Sequence, residues 1–413
     1  MVRGNANFRL LWFGQIVSLF GHWFNLIASA ALVAKLTESG FAVGALFVVR
    51  MLAPFLASPF AGVVADRFNR KWILFWADLV RAITVLGFLL VREPDMVWLL
   101  YTLTAIQTGI SGFYFTARTA ILPDVVEPRA VGTANAISSA TWSVMLAVGA
   151  ATGGLVAGTL GIWTAYLIDA ATFLLSAAFV AQIRIGDTAA PRHLERSVRR
   201  VLSEHLVGFR VVFGSLSLLL IVMQKAMLML FFGAAFQVIL VAIAKNVFMI
   251  GSEGSLSVGI MFALMGLGTG IGPLAARAIT GDQPSRMHLA ILASYLLAAA
   301  GLIIVSWLSS LTWVLVGSFL VGLGNGQLWV FSTQLILQQA PDTVRGRVLA
   351  AEFGFFSLAS AISAALAGAA LDFAFEIGDL LCWMAALSMI PAALWGIWAV
   401  GQSNYDEHGS AQG

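Results

Sequence analysis

Long apolar runs, separated by short polar segments, repeat along almost the whole chain. A helix that spans the bilayer needs about 20 consecutive apolar residues. Runs that meet this requirement lie at about 8–34, 41–65, 72–92, 95–118, 133–158, 161–184, 214–240, 256–279, 287–308, 311–338, 348–371 and 379–401. The pattern predicts an all-α membrane protein with twelve transmembrane helices, arranged as two pseudo-symmetric six-helix bundles.

A polar stretch separates the sixth run from the seventh. We expect one bundle at 1–184, a linker at 185–213, a second bundle at 214–401 and a tail at 402–413. Apolar positions recur in the linker at helical spacing, with arginines on the other faces: Leu194, Val198, Val201, Leu202 and Phe209 against Arg192, Arg196, Arg199 and Arg200. This pattern predicts a basic amphipathic helix on the membrane surface, and a hinge helix in water is the alternative.

The composition excludes an ordinary soluble domain. Hydrophobic residues make up 60% of the 413 residues and charged residues only 10%, against about 25% charged in soluble proteins. With both termini in the cytoplasm, 17 of the 23 Lys and Arg residues fall on the cytoplasmic side, and Lys35, Arg92 and Lys245 fall outside. This bias predicts a multi-pass protein of the inner (plasma) membrane with cytoplasmic termini. The net charge of +3 needs no nucleic-acid partner to explain it.

The two halves contain a short repeat. Residues 123–129 and 341–347 follow the fourth and tenth runs and share Pro, Asp, Val and Arg at a constant offset of 218. Asp124 and Asp342 are both expected to cap the start of a helix. Paired six-helix halves are typical of transporters whose substrate site lies near the membrane midplane.

The loop between the second and third runs carries a family resemblance. It reads Gly62-Val63-Val64-Ala65-Asp66-Arg67-Phe68-Asn69-Arg70-Lys71 and resembles the G-x-x-x-D-R-x-x-R-[KR] loop of the major facilitator superfamily. On physical grounds, Gly62 is expected to allow a close helix approach. The resemblance implies that the loop Asp engages the cytoplasmic end of span 11. The predicted gating residues are Gly62, Asp66, Arg67, Arg70, Lys71, Arg345, Arg347 and Glu352.

Three further segments resemble one branch of that superfamily, the macrolide-efflux and enterobactin-exporter branch of drug–proton antiporters. They are Asp78-Leu79-Val80-Arg81, the stretch from Ile168 to Leu174, and Arg345-Gly346-Arg347-Val348. The chain departs from the branch at two places. Gly149 is followed by Ala150 where antiporters usually have Gly-Pro, although Gly149, Gly153 and Gly154 keep a face suited to close packing. His22 follows Gly21 where the branch often has Asp.

Ionisable residues inside predicted spans are costly and therefore candidates for function, and four of them, Arg50, Asp78, Arg81 and Asp169, lie in the first half of the chain outside the polar set described below. Asp78 and Arg81 are three residues apart and share a helix face, so they are expected to form a pair. Arg50 has no partner within its own helix, and Asp169 is one candidate. For all four residues, structural ion pairs that join helices are the alternative to a direct role in transport.

Polar residues fall near the middle of spans 1, 4, 7 and 10, which the resemblance implies line a central cavity. They are His22, Asn25, Gln107, Gln224, Lys225, Asn325 and Gln327. These residues are expected to bind substrate or protons, and hydrogen bonds between helices are the alternative. His22 is the predicted proton carrier, because an unperturbed histidine titrates near about pH 6.5. The rival carriers are Asp78, Asp169 and Glu352, and a neutral, hydrogen-bonded core histidine is the alternative.

The function expected from these features is proton-coupled export of a small amphiphilic molecule, such as a drug, a macrolide-like compound or a siderophore. A lysophospholipid flippase with the same fold is the alternative. No H-E-x-x-H, Gly-x-Ser-x-Gly or Walker sequence occurs, so we expect neither an enzyme nor a cofactor. The expected partners are a small-molecule substrate, protons and membrane lipids, and the protein is expected to be a monomer.

Overall fold

A computed structural model describes residues 4–184, 198–281, 283–341, 344–373 and 375–409. All regular elements of these residues are helices. In chain order they are α1 (Ala6–Thr37), α2 (Gly40–Arg67), α3 (Arg70–Gly87), α4 (Val97–Val125), α5 (Val131–Thr159), α6 (Ile162–Ala181), α7 (Val198–Phe213), α8 (Leu216–Leu228), α9 (Ala234–Asn246), α10 (Ser255–Thr280), α11 (Pro284–Ser306), α12 (Leu311–Gln339), α13 (Arg345–Asp372) and α14 (Ile377–Gly409).

Twelve stretches of the described chain are long and apolar enough to cross a membrane, which confirms the predicted number. The seventh stretch, Leu216–Asn246, is not one regular helix, because a π-turn at Met229–Gly233 joins α8 to α9. Helix α7 lies in the predicted linker. The part of the linker at 185–197 is outside the described residues, and its contact with lipid stays a prediction.

The chain divides into two compact units. The first, unit 1, contains Met1–Glu204 together with Leu240–Ala263, and the second, unit 2, contains His205–Ile239 together with Leu264–Gly413. The end of α9 and the start of α10 therefore belong to the same unit as α1–α6.

Helix α1 forms the centre of unit 1 and packs against α5 and α6, while α3 and α2 pack against α4. The glycine face of α5 allows this packing. A Cβ atom at Gly149 would meet the Trp23 ring, and one at Gly153 would meet the backbone of Phe24. The close packing predicted for this face is thus confirmed, without the proline that antiporters usually carry after the first glycine.

In unit 2, two glycine pairs with a spacing of four residues bring α10 and α12 together. Gly268 and Gly272 on α10 face the α12 backbone, and Gly322 and Gly326 on α12 face the α10 backbone. Small residues at this spacing let transmembrane helices approach until their backbones touch. Helix α11 packs against α12 and α14, and α8 packs against α13.

Side chains from other helices bind the backbone at the π-turn. Ser363 on α13 donates to the Leu230 carbonyl (2.8 Å) and accepts from the Ala235 N–H (3.0 Å). Asn325 on α12 donates to the Phe232 carbonyl (3.2 Å). A break in the helical hydrogen-bond ladder is tolerated in a membrane when such side chains satisfy the freed backbone groups.

Two local expectations are wrong. No atom of the described residues lies within 4 Å of a Cβ atom built at Gly62, apart from its own helix and chain neighbours, so this glycine does not serve a close helix approach there. Asp124 lies in the last turn of α4 and pairs with Arg70 at 2.6 Å, rather than capping the start of a helix. The helix continues through Pro123, so the Pro-Asp sequence does not mark a boundary there. Asp342 is outside the described residues.

Candidate functional site

A polar stripe runs along α1 inside unit 1. Its residues follow the helical spacing of three and four, which places them on one face: Gln15, Ser18, His22, Asn25 and Ser29. Four of these side chains are buried and His22 is half-buried. A buried polar stripe needs partners on the neighbouring helices, and these partners come from α2, α3, α4, α5 and α6.

Arg50 on α2 binds two members of the stripe. Its Nη1 donates to Asn25 Oδ1 at 3.1 Å, and its Nη2 lies 3.3 Å from His22 Nε2. A guanidinium group has only donors, so His22 Nε2 accepts this bond. His22 is therefore neutral in this arrangement, with its proton on Nδ1.

Asp169 on α6 is fully buried close to the same residues. Its Oδ2 accepts from Gln107 Nε2 at 3.3 Å, whereas its Oδ1 has no partner in hydrogen-bond geometry among the described residues, and the Asn25 amide lies close enough to interact with the carboxylate. Arg50 and Arg81 both lie within electrostatic range of the carboxylate, but neither forms a direct ion pair with it within the described part of the chain. The predicted Arg50–Asp169 contact is thus indirect.

The lack of a side chain at Gly21 gives Asp169 its position. A Cβ atom on Gly21 would collide with Thr172 Oγ1 and with Asp169 Oδ1. The free carboxylate oxygen therefore lies directly against the backbone of α1.

Asp78 and Arg81 on α3 form the expected ion pair, and both are buried. Ser176 on α6 donates to the second oxygen of Asp78 at 2.7 Å. The Arg81 guanidinium lies over the Tyr114 ring at 4.2 Å and the Phe173 ring at 4.4 Å. Both oxygens of Asp78 are thus occupied, in contrast to those of Asp169.

We call His22, Arg50, Asp78, Arg81 and Asp169 the unit 1 charge cluster. Two guanidinium groups balance two carboxylates, provided that both are ionised and His22 is neutral, as its bond to Arg50 requires. Buried charges need such compensation. A cavity of about 10 Å³ borders His22 and Arg81, which is near the lower limit for one water molecule.

Arg118, the last residue of the fourth predicted span, is buried within α4. It donates to Gln15 Oε1 and, at 2.9 Å, to Ser138 Oγ on α5. Gln15, Ser18 and Ser29 were also missing from the predicted site. Their spacing of four or seven residues from His22 or Asn25 was the signal that could have revealed them.

Among its described residues, unit 2 contains one buried ion pair. Lys225 Nζ on α8 lies 3.0 Å from Glu352 Oε1 on α13, and the two side chains are only 7% and 5% exposed. The ammonium group also lies 4.4 Å from the centre of the Trp329 ring on α12, a favourable cation–π arrangement. We call Lys225, Glu352 and Trp329 the unit 2 ion pair.

The other predicted cavity residues of unit 2 form hydrogen bonds within the unit. Gln224 accepts from the Tyr295 hydroxyl at 2.9 Å, and Gln327 donates to the Ala290 carbonyl at 2.6 Å. Asn325 binds the π-turn. These contacts match the alternative of bonds between helices. Across the described residues, no group of three His, Cys, Asp or Glu side chains could hold a metal ion.

Several of the predicted gating residues have partners outside the predicted group. Arg70 pairs with Asp124, and Glu352 pairs with Lys225 instead of an arginine of the loop. Glu352 lies two turns inside α13, which is deeper than the loop residues. Arg345 donates to the Ala340 carbonyl at 3.4 Å, and the Arg347 backbone packs against Gly208 of α7. Asp66 and Arg67 both have partners.

These twelve spans and buried intramembrane charges define a polytopic transport protein. Residues 11–364 match the Major Facilitator Superfamily, and the chain belongs to that family.

Several curated relatives are transporters. The multidrug efflux pump Tap of Mycobacterium bovis (strain BCG / Pasteur 1173P2) is 24% identical over 373 residues, which cover 88% of this chain and 86% of that protein. The putative bacilysin exporter BacE of Bacillus subtilis (strain 168) is 26% identical, over 43% of this chain and 44% of that protein. The uncharacterised transporter YfiS of the same strain is 29% identical, again over less than half of either chain.

Solved structures share the fold at low identity. A mutant of the nucleoside transporter NupG has a TM-score of 0.75 at 13% identity, over 95% of this chain and 98% of that one. A POT family transporter in complex with 5-aminolevulinic acid has a TM-score of 0.74 at 12% identity, over 96% of both chains. At these identities the likeness concerns the fold alone.

Proposed function

We propose that this chain exports a small amphiphilic molecule in exchange for protons that enter the cell. The observation that carries the proposal is the fully buried Asp169, with one oxygen unbonded among the described residues and two arginines in electrostatic range. A transporter driven by protons needs a group that can be charged or neutral inside the membrane, and Asp169 has a free oxygen to accept the proton.

Protonation of Asp169 would change the balance of the unit 1 charge cluster. The cluster has two positive and two negative groups, so the loss of one negative charge leaves a net charge of +1. An uncompensated charge is costly in a buried site. Proton binding would therefore disfavour this arrangement and shift the protein towards another conformation.

His22 is the second proton-binding residue in this proposal. An imidazolium has no free acceptor on Nε2, so a proton on His22 would break its contact with Arg50. The released guanidinium could then move towards Asp169. Asp78 is a weaker candidate, because Arg81 and Ser176 already occupy both of its oxygens.

The cargo class follows from the surroundings of the unit 2 ion pair. The Trp329 ring contacts Lys225 and lies 5.3 Å from the Phe356 ring, and Met223 and Met227 on α8 are half-buried. Aromatic rings and flexible methionines beside a charge pair suit a molecule of mixed polarity. Two of the relatives are described as an efflux pump and a putative exporter, which supports export.

The test uses purified protein in liposomes with a pH-sensitive dye inside. A macrolide, a cationic dye and a catecholate siderophore serve as probes, with and without an imposed pH gradient. We expect at least one probe to move with the gradient and to carry protons in the opposite direction. If every probe is transported at the same rate with and without the pH gradient, the proposal of proton coupling is wrong.

The residue assignment is tested with Asp169→Asn, His22→Gln and Asp78→Asn. We expect Asp169→Asn to abolish gradient-driven transport while exchange of labelled for unlabelled probe at equal pH continues. His22→Gln should reduce driven transport less, because Asp169 remains. If transport of the probe by Asp169→Asn is driven by the pH gradient as strongly as in the wild type, Asp169 is not the proton-binding residue.

A further inference from the structure

An apolar groove lies on the surface of unit 1 between α2, α3 and α4. Its volume is about 590 Å³, and nine of its ten lining residues are apolar. The side chains that shape it are Val64, Phe68, Trp72, Trp76, Val80 and Phe113.

The groove faces the lipid rather than water. Trp72, Trp76 and Val80 follow one face of α3 at intervals of four residues and are 49%, 56% and 38% exposed. From Trp72 to Val80 the helix rises about 12 Å. This stretch lies in a membrane-spanning segment, so its exposed side chains contact hydrocarbon. The groove therefore starts at the membrane surface and reaches into one leaflet.

Polar and basic residues surround the end of the groove at the start of α3. Lys71 Nζ lies 5.5 Å from the centre of the Trp72 ring, and no carboxylate pairs with Lys71 in the described part of the chain. Asn69 Oδ1 accepts from the Lys71 N–H at 3.0 Å, which leaves its amide NH₂ group available. With Arg67 and Arg70 positive and Asp66 and Asp124 negative, Lys71 gives this end a net charge of +1.

We propose that this groove binds one anionic phospholipid of the leaflet next to the start of α3. An acyl chain lies between Trp72, Trp76 and Phe113, and the lipid phosphate contacts the Lys71 ammonium and the Asn69 amide. An apolar groove that ends in an unpaired cation is complementary to a lipid with a net negative head group. The site is independent of the cargo of the transporter.

The charge part of the proposal is tested by titrating the full-length protein in detergent with dioleoyl-phosphatidylglycerol or dioleoyl-phosphatidylcholine, followed by native mass spectrometry. We expect the first phosphatidylglycerol to bind at least about fivefold more tightly than the first phosphatidylcholine. Lys71→Gln should lower the ratio of the two affinities about fivefold. This change corresponds to about 1 kcal/mol, as expected for one basic residue at an anionic surface.

Arg9→Gln is the matched control, because Arg9 is an exposed cation in the first turn of α1, at the same end of unit 1. It should leave the preference for phosphatidylglycerol unchanged. Equal binding of the two lipids to the wild type, or equal losses in Lys71→Gln and Arg9→Gln, would overturn the site.

The location is tested by filling the groove. Val80→Trp should lower the affinity for phosphatidylglycerol at least about threefold, whereas Ile83→Trp, on α3 and outside the groove lining, should not. Quenching by phosphatidylglycerol with brominated acyl chains, measured in the wild type and in Trp76→Phe, checks the contact without a bulky substitution. If the brominated lipid quenches tryptophan fluorescence equally in the wild type and in Trp76→Phe, the lipid does not contact Trp76 and the proposed location is wrong.

One outcome separates a resident lipid from a transported one. In proteoliposomes, the wild type could move fluorescent phosphatidylglycerol from one leaflet to the other. If it does, and Lys71→Gln abolishes this movement, the lipid is cargo. That result would overturn the assignment as a resident lipid site, whereas failure of drug export alone would leave the site intact.

Discussion

The unit 1 charge cluster and the unit 2 ion pair differ in how their buried charges are compensated. In unit 1, five ionisable groups from α1, α2, α3 and α6 lie together, and amides and hydroxyls bind several of them. In unit 2, Lys225 has a single carboxylate partner and one aromatic ring. A cluster can redistribute its contacts when one charge changes, whereas an isolated pair cannot. Under the proposed function, the proton-dependent step would therefore belong to unit 1, and the pair in unit 2 would have a static or cargo-contacting role.

Loss of the carboxylate from the unit 2 ion pair should have the largest effect on stability. Glu352→Gln leaves the Lys225 ammonium buried without a counter-charge, which costs about 3 kcal/mol or more. The free energy of unfolding in mild detergent should fall by that amount. The double variant Lys225→Met with Glu352→Leu should recover most of the loss, because it removes both charges. A single variant as stable as the wild type would contradict the isolation of this pair.

Removal of the free carboxylate from the unit 1 charge cluster should cost less. In Asp169→Asn the new amide oxygen can still accept from Gln107, and Arg50 keeps Asn25 and His22. We expect a loss of about 2 kcal/mol, because the arginines of the cluster lose one counter-charge and the Gln107 bond loses its charged acceptor. Asp78→Asn should cost more, because it breaks the direct ion pair with Arg81. If Asp169→Asn lowers the free energy of unfolding more than Asp78→Asn does, charge is not shared across the cluster as described.

The contact between α1 and Asp169 can be tested without changing any charge. Gly21→Ala places a methyl group against Asp169 and Thr172, and overpacking of this kind costs about 1.5 kcal/mol. Gly62→Ala is the control, since that position is open. It should be neutral or slightly stabilising, because alanine favours a helix more than glycine does. Thermal unfolding of both variants in the same detergent gives the comparison, and equal shifts would argue against the close approach at Gly21.

The smallest effect is expected at a neutral hydrogen bond of unit 2. Tyr295→Phe removes the hydroxyl that donates to Gln224 at 2.9 Å. Hydrogen bonds between membrane helices contribute about 0.6 kcal/mol on average, so the change should be close to that value. A loss of transport without a loss of stability would instead place Gln224 in contact with the cargo.

The fold could be predicted from the sequence, because a bilayer imposes a length and a hydropathy on every span. The twelve runs lie within the observed helices or close to their bounds, although the π-turn at Met229–Gly233 left no visible signal. It is formed by backbone hydrogen bonds that depend on Ser363 and Asn325 of distant helices. The capping expected of Asp124 was wrong because a proline inside a transmembrane helix does not have to end it.

The candidate site could be predicted only where its contacts are local. The spacing of Asp78 and Arg81 was enough to pair them, since both lie on one helix. Lys225 and Glu352 are on different helices, far apart in sequence, and no local pattern relates them. They were predicted in two separate groups for that reason. The partners of Arg50 depend on the packing of α1 against α2, which hydropathy does not determine.

The π-turn has a consequence for how this part of the chain can change during evolution. Such a turn corresponds to one extra residue in an otherwise regular helix. Deletion of a single residue between Met229 and Gly233 would restore a continuous α-helix from Leu216 to Asn246. Each residue of an α-helix turns the chain by about 100°, and the wider π-turn absorbs the rotation of its extra residue. Such a deletion would therefore leave Lys225 facing Glu352, whereas a one-residue deletion in the regular helix between Lys225 and Met229 would turn Lys225 away while every side chain of the pair remained in the sequence.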